Sequence, residues 1–188
     1  MKSSILTLFI FITAVINLNA QDSEKDSHIV TIGVPEVALL DLESTQEKSL
    51  NFNLTAPTEA GNPVNTTKFD YNIWLNYSSI IESSSTRKVD VQITNGKIPD
   101  GLMLRIYAWG DNGNGKGALG KSNYLVELKE TQPTTIINSI GSAYTGNGPN
   151  KGHRILYYLT RSSENDFYSK LDSDQSNTLT ITYTLSDD

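Results

Sequence analysis

The feature that most constrains this chain is alternation. Near its end, Leu179, Ile181, Tyr183 and Leu185 interleave with Thr178, Thr180, Thr182 and Thr184. An apolar residue at every second position gives an extended chain one face for a core and one for water, which is the period of a β-strand. The pattern recurs. Leu50, Phe52 and Leu54 alternate with Asn51, Asn53 and Thr55, and Phe69, Tyr71, Ile73, Leu75 and Tyr77 alternate around Trp74. Val89, Val91 and Ile93 form another run, as do Leu102, Leu104, Ile106 and Ala108. Shorter runs fall at residues 124–129, 134–140 and 154–159. Turn formers separate them, such as Asn95-Gly96 and Pro99-Asp100-Gly101. The one helix candidate is 163–172, where Ser163 and Asp166 resemble a capping box and Phe167 and Leu171 are four apart. The expectation is an all-β chain: an antiparallel β-sandwich with Greek-key connections.

The first twenty residues read as an address. Lys2 is the sole charge before Asp22, the apolar run of residues 5–16 follows, and Ala20 precedes a polar stretch. A positive start, a short apolar run and a small residue describe a signal peptide cut between Ala20 and Gln21. The run is too short for a spanning helix, so no transmembrane segment is expected. The expected organisation is a signal peptide at 1–20, a flexible leader at 21–27 and one sandwich domain at 28–188. The destination is outside the cell or on its surface. The chain has no cysteine, so its stability must come from its core rather than from disulfides.

Several functions are disfavoured. A net charge of −6 offers no basic footprint for nucleic acid. Gly115-Lys116-Gly117-Ala118-Leu119-Gly120-Lys121-Ser122 fits the phosphate-loop pattern letter for letter, and it contains a dinucleotide-type glycine spacing. Phosphate binding needs a helix N-terminus after the loop, and residues 123–128 read as a strand instead. The segment is read as a long hairpin loop that binds neither ATP nor NAD. Asn53, Asn65 and Asn76 each begin an N-glycosylation pattern, which such a composition produces by chance. The histidines are His28 and His153 only, with no nucleophile elbow and no zinc-protease motif, so no enzyme is expected.

What remains is binding. Nine of the thirteen glycines fall in residues 110–120 and 141–152, both read as loops. Within the first, Asp111, Asn112 and Asn114 are weak candidate calcium ligands, although Gly113 and Gly115 occupy positions where a calcium loop wants oxygen. No other cofactor is indicated. Trp74 lies between Asn72 and Asn76 on its strand's polar face, and Tyr107 and Trp109 lie opposite Leu104 and Ile106. Aromatic rings beside amides suit carbohydrate or a protein partner, and the simpler alternative is a strand covered on both faces.

The stretch Ile29-Val30-Thr31-Ile32-Gly33-Val34-Pro35-Glu36-Val37-Ala38-Leu39-Leu40-Asp41-Leu42 resembles the mature N-terminus of alpha-fimbrial major pilins. The closing strand at 178–185 is similar to the last strand of pilus-like subunits. It is also similar to that of WxL cell-wall-binding domains, whose diagnostic motif is missing at Trp74-Leu75-Asn76. The pilin resemblance implies an Ig-like sandwich lacking one strand, completed by a neighbour's N-terminal extension. Val30, Ile32 and Val34 would be the inserting side chains, and Gly33 would allow the backbones to approach closely. The alternative is that residues 29–34 are this chain's own first strand, and that reading is favoured because nothing else in the chain announces a missing one. Two functions follow: a fimbrial-type adhesive subunit that self-associates or meets a cell-surface partner, or an extracellular carbohydrate- or ligand-binding module.

Overall fold

The structure is a computed structural model that describes residues 25–175 and 177–188. The expected signal peptide, its cut site and the start of the leader lie outside the described residues. The chain divides into two units, Met1–Val34 and Pro35–Asp188. In the first, residues 25–34 form no strand, and Ile29, Val30, Ile32 and Val34 are exposed. The expected first strand at 29–34 is therefore not formed; the first strand begins at Val37.

Among the described residues the second unit holds nine strands: β1 Val37–Ser44, β2 Lys68–Ile80, β3 Arg87–Asn95, β4 Leu102–Asp111, β5 Lys116–Ser122, β6 Val126–Glu127, β7 Thr134–Tyr144, β8 His153–Arg161 and β9 Thr180–Asp187. All pairings are antiparallel. They divide into two halves, β6-β4-β8-β2-β1 and β9-β3-β7-β5. The halves join where Ser78 and Ser79 of β2 pair with Tyr144 and Ala143 of β7. From β2 onward, each connection passes from one half to the other. The fold is thus an all-β antiparallel sandwich, as the alternation predicts.

The inward residues make one core. Leu75, Ile106 and Ile155 from one half meet Val89, Val91, Ile137 and Ile140 from the other, all fully buried. Each such burial contributes about 1.5–3 kcal/mol. β2 bulges between Asp70 and Ile73, which changes the face its later residues present.

Four local expectations are corrected. Residues 50–54 form no strand; Leu50, Phe52 and Leu54 pack on the core, but their backbone joins no ladder. The helix expected at 163–172 is a single 3-10 turn, Tyr168–Lys170, with no side-chain cap. Three apolar residues in ten are too few to hold so short a helix. The run at 124–129 keeps only Val126–Glu127, because Leu125 takes a left-handed φ of 30° that breaks the extended chain. The first glycine-rich segment is half strand: residues 116–122 are β5, laid on β7. Gly117 and Gly120 allow this. A Cβ on them would stand 2.2 Å from the Ser142 carbonyl oxygen and 2.6 Å from that of Asn138. The phosphate-loop letters therefore lie in a sheet, with no helix after them.

Candidate functional site

β1 and β9 are the last strands of their halves. β1 is paired only to β2 and β9 only to β3, so each keeps one free edge among the described residues. The seam between them has two unlike ends.

At one end the start of β1 and the finish of β9 are held together by Arg87. This first residue of β3 is 3% exposed. Its Nε donates to Asp187 Oδ1 at 2.9 Å, and its terminal nitrogens donate to the Val37 carbonyl, to Ser79 Oγ at 3.3 Å and to Glu36. A buried guanidinium is tolerable only with its donors engaged, and here partners come from both edge strands and from β2.

At the other end the edges part. Leu42 of β1 and Leu179, Ile181 and Tyr183 at β9 help to wall a cavity of about 950 Å³. Ile73, Leu104 and Tyr157 lie deeper in it. The hydroxyls of Tyr157 and Tyr183 meet at 2.5 Å. Burial pushes the Tyr157 phenol up to about 12, and burial together with Tyr157 raises Tyr183 well above its ordinary value, so both stay neutral. The cover is residues 48–54. Leu50, Phe52 and Leu54 are half-buried, while Asn51, Asn53 and Thr55 face water. The cover thus alternates like a strand, yet residues 49–54 share no main-chain hydrogen bond with either edge among the described residues.

The aromatic candidates lie elsewhere, on the outer face of the β4-β8-β2 region. Residues opposite one another in register share a face. Tyr107 is opposite Leu156, and Trp74 is opposite Arg154, so Tyr107, Trp109 and Trp74 occupy one face on either side of β8. They do not form one platform. Trp74 is 7% exposed beneath Arg154, whose guanidinium carbon is 5.5 Å from its ring centroid and 4.2 Å from that of Tyr71. Trp109 is half exposed and Tyr124 more so; Tyr107 has ring centroids 6.3 Å from Trp109 and 5.5 Å from Tyr124.

The two glycine-rich segments meet at one end of the sandwich. Asp111 Oδ2 accepts from the Gly113 and Gly115 amides at 2.9 and 3.0 Å. Asn112 donates from its backbone to Gly152 and from its side chain to Asn150, each at 3.0 Å. Lys151 Nζ donates to Asn114 Oδ1 at 2.8 Å. Asn112 and Asn114 thus tie the two loops together, with an ammonium beside Asn114, whereas Asp111 Oδ1 is buried without a hydrogen-bond partner. No group of three or more His, Asp or Glu able to hold a metal occurs among the described residues. Beneath the loops, His153 is buried; its Nδ1 donates to the Trp109 carbonyl at 2.7 Å, and its ring stacks on Tyr77. Burial lowers its pKa, against the Trp109 carbonyl and the Asp111 charge, which raise it.

Sequence reasoning missed Arg87, whose neighbours give no hint that its charge is buried, and it missed the cover, which looked like an ordinary strand. It also passed over Tyr124 and Arg154, which flank the predicted rings. No protein-family model, no curated protein and no solved structure matches the chain.

Proposed function

We propose that the protein is an exported structural or adhesive subunit of the cell surface, without enzymatic activity, that joins further copies by strand addition through residues 29–34. One observation carries the reading. Val30, Ile32 and Val34 keep strand-like alternation outside any strand, and Ile32 is 84% exposed. Apolar side chains left in water are a standing cost, and covering three of them contributes on the order of 5 kcal/mol. An edge strand with unpaired N–H and C=O groups is the natural place to cover them. Because the chain has no cysteine, disulfide trapping is clean. Cysteines at Ile32 and along β9 should give crosslinks between chains and an SDS-resistant ladder. Crosslinks found exclusively within one chain would end the reading.

A second reading rests on the exposed rings of Trp109 and Tyr124 on either side of the half-buried Tyr107. Neighbouring rings of which two reach water suit stacking against a carbohydrate. It is tested by glycan-array binding that disappears in Trp109→Ala, a change at an exposed site that should leave the fold intact.

A further inference from the structure

We infer that residues 49–54 are an internal plug in the slot that receives residues 29–34 of a second copy, and that assembly requires the plug to leave. The inference rests on the strand-addition reading above and names its acceptor site and its control.

The plug and the proposed donor carry the same pattern. Leu50, Phe52 and Leu54 are spaced as Val30, Ile32 and Val34 are, with small or polar residues between. Both can lay three apolar side chains over the cavity walled by Ile181 and Tyr183. They differ in hydrogen bonding. The plug covers the apolar wall but leaves the outer edge of β9 unpaired. A strand from a second copy covers the same wall and adds a ladder to that edge, so exchange replaces burial with burial plus backbone hydrogen bonds. Arg87 holds the other end of the seam shut, so opening is confined to the cavity end. In the separate subunit the plug shields an apolar slot that would otherwise aggregate.

The test uses the chain without its signal peptide and a peptide of residues 27–35. Asn53→Cys, at an exposed position, carries a spin label that reports on the plug. Thr182→Cys on β9, in a separate preparation, traps a peptide bearing Thr31→Cys. Crosslinking together with release of the label to fast motion supports the inference, and a peptide with Ile32→Asp should do neither. Crosslinking with the label still immobile overturns the plug and leaves strand addition standing. No crosslinking at β9 overturns both. As a second readout, Phe52→Ala in the full chain should speed peptide capture on the order of tenfold by weakening the plug. Capture that is unchanged or slower in this variant, with the fold intact by circular dichroism, overturns the inference.

Discussion

The two ends of the β1–β9 seam solve the same problem differently. Both must close a sandwich between edge strands that do not pair with each other. At the Arg87 end the closure is polar and directional: four acceptors converge on one buried guanidinium. At the cavity end it is apolar and without hydrogen-bonded direction, made by Leu50, Phe52 and Leu54 lying on the core. The first holds only when each partner is in place, so it resists partial opening. The second tolerates replacement by any segment of similar period, because apolar contact is not specific to its partner. A seam that is rigid at one end and exchangeable at the other can open without unfolding the molecule.

The comparison can be broken most sharply at the rigid end. Arg87→Ala should destabilise by about 3 kcal/mol, read as a lower denaturant midpoint. Glu36 and Asp187 are mostly exposed, so the loss arises from the emptied site and the unsatisfied Val37 carbonyl rather than from stranded carboxylates. Arg87→Met, which refills the volume, should recover part of it. If Arg87→Ala unfolds at the wild-type midpoint, the two ends are not different in kind.

Phe52→Ala at the open end should cost less, about 2 kcal/mol, because the ring is half-buried and the plug can settle. Hydrogen exchange should quicken in residues 48–56 and not around Arg87. Quickening spread evenly along the seam would erase the distinction.

Beneath the plug, Tyr183→Phe should cost about 1.5 kcal/mol by leaving the buried Tyr157 hydroxyl without its partner. The double change Tyr157→Phe with Tyr183→Phe should restore much of that. If the double variant is no more stable than the single one, the hydroxyl pair is not what decides stability there.

The smallest effect lies off the seam and serves as its control. His153 has a folded pKa below its ordinary value of 6.5, so the fold favours the neutral ring. That contribution is complete above pH 6.5 and is lost as pH falls from there toward the folded pKa. Between pH 8 and pH 6 the loss stays under about 1 kcal/mol. His153→Gln should flatten this part of the pH profile without altering peptide capture at the seam. A profile that slopes the other way would mean that the charged ring is the one the fold prefers.

Legibility in the sequence followed the range of the interaction. The runs around Leu75, Val91, Ile106 and Ile155 are strands where alternation placed them, because inward and outward faces are a local property. Residues 50–54 alternate just as well and are not a strand, because a strand also needs an edge to pair with, and no local pattern reports whether one is free. The same holds for the candidate site. Tyr107 and Trp109 were readable as neighbours on one face, whereas the burial of Trp74 depends on Arg154, eighty residues further along.

The amino-acid sequence by itself determined the class of this protein: β-strands from period-two alternation, and no disulfide from the absence of cysteine. Tertiary structure alone decided which alternating segments pair, which one only covers, and where a buried arginine is needed. The reason is physical. Side-chain patterning acts between residues two apart, while hydrogen-bonded edges, a shared cavity and a satisfied buried charge exist only when distant segments meet.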